Sequence, residues 1–241
     1  MNYIIEIATA DYTTTRSAVE GGADRIELCA GLSEGGTTPS YGTIKSCREA
    51  FAVELFPIIR SRGGDFLYTD EEFDLMLADA IACRDLGCEG IVTGFLKTDG
   101  SVDIARTARV VEAVYPLEVT FHRAFDRCRD PFEALEALIR VGCQRILTSG
   151  QMPTAPEGID MIARLVKAAE ERIIIMPGSG VRADNIKELA NRTGALEFHS
   201  SLRSQMESSM DYRNAAFAGS DYRNPAIDAQ AVKALRKALN G

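Results

Sequence analysis

The chain predicts a single-domain TIM (β/α)8 barrel, and three observations predict it. Eight short runs rich in Ile, Val, Leu and Phe recur along the 241 residues, each bounded by Gly, Pro, Asp or Ser. Helical patterns separate them, so strand and helix alternate from one end to the other. A weak repeat marks the units: Gly22-Ala23, Gly87-Cys88, Gly142-Cys143 and Gly194-Ala195 each stand just before an even-numbered strand. Gly suits the left-handed position that ends a helix, and the small residue after it packs beneath a barrel. A doubly wound open sheet is the alternative, but it does not ordinarily need eight such even units.

The strand candidates are 3–9, 25–30, 53–60, 90–96, 117–123, 145–150, 173–178 and 196–200. Helices are expected over 70–86, from Asp130-Pro131 onward, and over 156–169, 183–191 and 228–239. Asp130 is a natural N-cap with Pro131 at the first helical position. The segment 203–228 reads as a long irregular excursion between strand eight and the last helix. Such excursions are commonly functional or interfacial. No linker divides the chain, and its length matches the roughly 250 residues of a barrel domain.

Composition narrows the function. Lys and Arg number 27 against 35 Asp and Glu, a formal net charge of −8. That balance argues against sequence-independent nucleic-acid binding, though not against a local basic pocket for a small anion. No run approaches the ~20 apolar residues of a membrane span, and Met1-Asn2-Tyr3 carries no cationic leader. Six scattered cysteines without a CxxC pair are expected as reduced thiols in a cytoplasmic protein.

Strand alternation assigns the lumen. Turning Ile5, Ile7, Ile26, Leu28, Leu55, Ile59, Val119, Phe121, Leu196 and Phe198 toward the helices leaves an unusually charged set inside. Glu6, Arg25, Glu27, Arg60, Glu118, His122, Glu197 and His199 then face inward. Arg25, Glu118 and Glu197 lie low and suit an internal salt-bridge network. Glu6, Glu27, Arg60, His122 and His199 lie toward the C-terminal strand ends, where barrel enzymes place their chemistry. Glu6 or Glu27 is the candidate general base, His122 or His199 the acid, and Arg60 and Arg62 the anion clamps. Gly178, Ser179 and Gly180 after strand seven, with Ser200, Ser201 and Arg203 after strand eight, could hold a phosphate.

Other chemistry is less well supplied. There is no HExxH and no four-cysteine pattern. Copper(I) favours thiols; Cys29 is the one thiol expected in the upper lumen, and Cys128 lies in the loop after strand five. Whether the two meet is open.

Several of these segments carry a family resemblance. Residues 27–40 (Glu27-Leu28-Cys29-Ala30-Gly31-Leu32-Ser33-Glu34-Gly35-Gly36-Thr37-Thr38-Pro39-Ser40) resemble the signature of the CutC family, the copper homeostasis proteins. So, in order, do 59–68, 119–126, 147–150, 176–180 and 197–201; the final forty residues match only loosely. The resemblance implies a TIM barrel, a cytoplasmic homodimer and copper(I) handling. It carries Cys29 over within its Glu-Leu-Cys motif but not Cys128, and Ser179 departs from the family's usual triple-Gly loop. Two readings follow: copper homeostasis centred on Cys29, or a lyase-, isomerase- or aldolase-like enzyme for a small phosphorylated or carboxylated metabolite. No organic cofactor is expected.

Overall fold

The computed structural model describes residues 3–217 and 219–241. Eight parallel strands form its centre: β1 (Ile4–Thr9), β2 (Arg25–Leu28), β3 (Glu54–Pro57), β4 (Gly90–Thr93), β5 (Glu118–Phe121), β6 (Arg145–Thr148), β7 (Ile174–Pro177) and β8 (Glu197–Ser200). They run as two parallel sheets, β3-β2-β1-β8 and β4-β5-β6-β7. A parallel bridge from Ile58 to Val92 joins β3 to β4, and β7 lies beside β8, which closes the barrel.

Six of the eight helices of the outer layer begin at a residue whose side chain accepts from a first-turn N–H group. The eight are α1 (Tyr12–Glu20), α2 (Tyr41–Ala50), α3 (Asp70–Asp85), α4 (Ile104–Val114), α5 (Pro131–Val141), α6 (Ile159–Ala169), α7 (Ile186–Thr193) and α8 (Ala229–Asn240). Asp130 caps α5 by accepting from the backbone N–H of Phe132 and Glu133, with Pro131 behind it. Thr69 and Glu72 form a capping box on α3. The repeated glycines behave as their spacing predicts: Gly22, Gly87, Gly142 and Gly194 all have φ between 74° and 86°.

Alternation sorts the side chains into two apolar bodies. Ile5, Ile7, Ile26, Leu28, Leu55, Ile59, Val119, Phe121 and Phe198 join the large core between strands and helices. A small separate cluster of Cys29, Phe56, Ile58 and Val92 fills part of the lumen. Leu196 departs from expectation: it is half-exposed, because it precedes β8 at the open lower rim.

The lower lumen is a network of charges. Glu197 Oε2 accepts from Arg25 at 2.7 Å and from Arg145 at 2.5 Å. Arg25 also bonds Glu54 at 3.0 Å, and Arg145 bonds Glu118 at 3.0 Å and Thr120 at 3.2 Å. The Phe56 ring lies against both guanidinium groups, 4.9 Å from Arg25 and 5.5 Å from Arg145. Arg145 and Glu54 were not singled out by alternation, yet they complete the pairing that Arg25, Glu118 and Glu197 require.

The segment 203–228 is more regular than its composition suggests. β9 (Arg203–Glu207) and β10 (Arg223–Ile227) pair as an antiparallel hairpin. Both faces of β9 are exposed, so no apolar alternation marks it in the sequence.

Removing Glu197 should strand two buried cations. Glu197→Leu is expected to cost about 3–5 kcal/mol in urea unfolding, whereas Asp160→Ala, which breaks an exposed pair with Arg192, should cost less than about 1 kcal/mol.

Candidate active site

The upper lumen continues the same chain of charges. Parallel register sets Glu6 of β1 beside Arg25 of β2 on one side and His199 of β8 on the other. Glu6 Oε2 lies 3.5 Å from Arg25, while Oε1 lies 2.8 Å from His199 Nδ1. His199 Nε2 in turn faces Glu27 Oε2 at 3.7 Å. Four charged groups from three strands thus form one line, rising from the buried floor to the mouth.

Burial opposes every charge in this line, and the neighbours decide the outcome. Burial raises the Glu6 carboxyl, but the His199 hydrogen bond and charge, with Arg25 and Arg145, bring it below its ordinary value. Burial lowers His199, and Glu27 and Glu6 more than reverse that, so its imidazolium persists above the ordinary range. Glu27 is raised, because burial and the Glu6 charge outweigh the help from His199. Glu6 and His199 therefore hold a buried ion pair, and Glu27 is the carboxyl of this line whose proton is held more tightly than usual.

The second histidine is in a different state. His122 Nδ1 accepts a hydrogen bond from the Ala124 backbone N–H at 3.2 Å. An accepting nitrogen has no proton, so the neutral ring carries its hydrogen on Nε2. That Nε2–H is buried and unpartnered among the described residues. Burial, then the Arg60 charge, lowers the His122 pKa to about 3.

Each histidine backs onto a glycine of the neighbouring strand end. A Cβ on Gly94 would come within 2.6 Å of His122 Nδ1, and one on Gly178 within 3.3 Å of the His199 ring and 2.3 Å of Leu147. Gly178, expected to hold an anion, instead makes room for His199.

Above these groups opens a cavity of about 770 Å³, lined by Glu27, Phe66, His122, His199 and the loops after β7 and β8. Ser179, Gly180, Ser200, Ser201 and Arg203 all border it. Ser179 and Gly180 have φ of 72° and 75°. Their backbone N–H groups, with those of Val181, Ser201 and Leu202, make no hydrogen bond among the described residues. The hydroxyls are less free: Ser179 donates to Pro153 O and Ser200 to Val181 O. Arg203 donates to Leu32 O while remaining exposed on the rim.

The two expected clamps differ from their assigned role. Arg60 borders the cavity but spends its terminal nitrogens on Glu34 O, Gly36 O and Gly64 O, leaving only Nε without a partner. Arg62 is not a cavity residue; it binds Glu72, Asp65 and Leu67 O and ties down its own loop. Free cations come instead from Arg127, after β5, and Arg182, after β7. Both are exposed at the cavity edge, with no side-chain partner among the described residues. Their only sequence signal is their place in loops following strand ends.

The two candidate thiols lie in different apolar clusters. Cys29 belongs to the lumen cluster, whereas Cys128 is packed in the helix-side core, where its sulfur accepts from Gln151 at 3.6 Å. Burial, then Glu27, pushes the Cys29 thiol well above its ordinary value, against the thiolate that binds metal. Burial and Asp126 push Cys128 up to about 12. Among the described residues no three His, Cys, Asp or Glu side chains are grouped to hold a metal.

The state of His122 predicts a pH response. Its folded pKa lies near 3 against an ordinary 6.5, so its contribution to stability is complete above pH 6.5 and is lost as pH falls toward 3. The loss has a limiting slope of about 1.4 kcal/mol per pH unit. Glu27, raised in the fold, acts in the opposite sense over part of this range, so the slope is read as the difference between wild type and His122→Gln in urea unfolding between pH 6.5 and 4.

Comparison with known proteins agrees with this architecture. The CutC family profile matches residues 3–204. A family protein CutC from Parabacteroides distasonis is 50% identical over 97% of this chain and 99% of its own length. Another from Chromobacterium violaceum is 47% identical over 100% of this chain and 99% of its own. A crystal structure of CutC from Streptococcus agalactiae superposes with a TM-score of 0.79 at 32% identity, covering 83% of this chain and 98% of its own. A barrel whose signature segments line one cavity, matched over nearly its full length by these relatives, belongs to the CutC family.

Proposed function

We propose that this chain is an enzyme of proton transfer, acting on a small phosphorylated or carboxylated metabolite at the C-terminal mouth of the barrel. One observation carries the reading: the Glu6–His199–Glu27 line, with spacings of 2.8 and 3.7 Å, ends at a cavity rimmed by unpaired arginines. Structural salt bridges need no such opening; a proton relay does.

The roles divide by position. Glu27 borders the cavity and is the base, and burial raises its carboxyl and so makes it more basic than a solvated one. His199 also borders the cavity and is the acid. Glu6 has no exposed surface and is a positioning residue: it fixes the His199 ring through Nδ1 and keeps it charged. Arg127, Arg182 and Arg203, with the free N–H groups of the 179–181 and 201–202 loops, supply charge and donors for the anionic end.

The family's copper role has weaker support in this chain, since Cys29 is a lone lumen thiol held in its neutral form. The six free, buried cysteines favour a reducing, cytoplasmic setting. Homodimer formation has a candidate surface beside the β9–β10 hairpin, where Met206, Met210, Tyr212 and Phe217 are exposed.

The test is a thermal-shift and turnover screen of phosphorylated and carboxylated metabolites. Glu27→Gln should abolish turnover while keeping binding, and Arg182→Ala should weaken binding about tenfold or more. Cys29→Ser should change neither. Anaerobic copper(I) titration should give no tight stoichiometric complex. Tight binding lost in Cys29→Ser, with no metabolite recognised, would overturn the reading.

A further inference from the structure

We propose that His122 and Arg60, both packed against Phe66, form a socket for a substrate carbonyl oxygen that becomes an enolate oxygen during proton transfer. The proposal rests on the proton-transfer reading above and names its substrate class: an aldehyde, ketone or 2-oxo acid with a hydrogen on the adjacent carbon.

Two buried donors point to it. Arg60 Nε–H and His122 Nε2–H lack partners among the described residues. Leaving such groups unbonded costs about 1–3 kcal/mol each. Both residues border the cavity, and both touch one ring: Arg60 lies 5.0 Å over Phe66, and the Phe66 and His122 rings are 4.8 Å apart. Neither nitrogen can accept, so the complementary group is an acceptor.

The way each donor is held suits a charge that develops rather than one that arrives. Three carbonyls fix the Arg60 guanidinium and leave its Nε–H as the bond it has to give. The Ala124 N–H fixes the His122 tautomer. Because His122 stays neutral well below pH 7, it donates a hydrogen bond without surrendering the proton. Rigid donors of this kind favour the charged transition state without reorganising. Both are unlike the exposed rim cations Arg127 and Arg182, which suit a fully formed anion.

The step balances within the substrate and Glu27. The Glu27 carboxylate removes the proton from the carbon beside the carbonyl. The C–H electron pair becomes a C=C bond, and the carbonyl π pair moves onto oxygen, between the two N–H groups. Return of the proton to a different carbon would complete an isomerisation; expulsion of a leaving group from the next carbon would complete an elimination.

Oxalate, a planar dianion resembling an enediolate, tests the socket, with inorganic phosphate as a control for the rim. Isothermal titration should show oxalate binding about tenfold to a hundredfold weaker in His122→Phe, recovery in His122→Gln, and phosphate binding unchanged in both. In the wild type, the His122 Nε2–H proton should be detectable by NMR and move downfield when oxalate is added. That measurement stands even where His122→Phe fails to fold. An Nδ1–H tautomer, an Nε2–H signal indifferent to oxalate, or no oxalate binding at millimolar concentration would overturn the socket. Metabolite binding lost in Arg182→Ala would still support the anion-binding mouth, so the two proposals fail separately.

Discussion

Glu6 is the residue on which the two halves of this lumen depend. Arg25 approaches one of its oxygens from below and His199 takes the other from above. A carboxylate with no exposed surface is tolerable only when its charge is answered. Answering it twice makes the barrel floor and the mouth one electrostatic unit. The floor network of Arg25, Arg145 and Glu197 therefore does more than fill space. Arg25 and Arg145 help hold Glu6 as a carboxylate, and that charge in turn helps keep His199 protonated and raises Glu27.

The two histidines show how one barrel holds the same side chain in opposite states. His199 stands between two carboxylates and is drawn toward the cation. His122 stands near Arg60 with a backbone N–H on its acceptor nitrogen, and is held neutral. The difference arises from which strand ends meet, and glycines at 94 and 178 let both rings approach the wall. Separated proton affinities of this sort distinguish a donor that keeps its proton from one that moves it.

Much of this was legible in the sequence because period-two alternation is a strict geometric rule. Once Ile5 and Ile7 face the helices, Glu6 must face inward, and the same logic places Glu27, His122, Glu197 and His199. What alternation cannot reach are side chains beyond the last ladder bond. Arg60 follows β3 by three residues, and its contacts depend on how the loops after β2 and β3 fold back over it. Arg62, two residues further, looks equivalent in sequence but turns to Glu72. Arg127 and Arg182 were invisible for the same reason. Cys29 and Cys128 were offered as partners because both lie near the upper end; the strand wall between lumen and helix layer separates their packing. The hairpin escaped notice because exposed strands carry no apolar period.

The family profile ends at residue 204, one residue into β9, just as the chain leaves the barrel for its hairpin. The proposed chemistry lies within the matched part, and most of the hairpin follows it. Arg203 belongs to both, since it opens β9 and also binds Leu32 O in the loop after β2. Through this one arginine a change in the hairpin would be felt at the doorway of the barrel, without any change in the lumen itself.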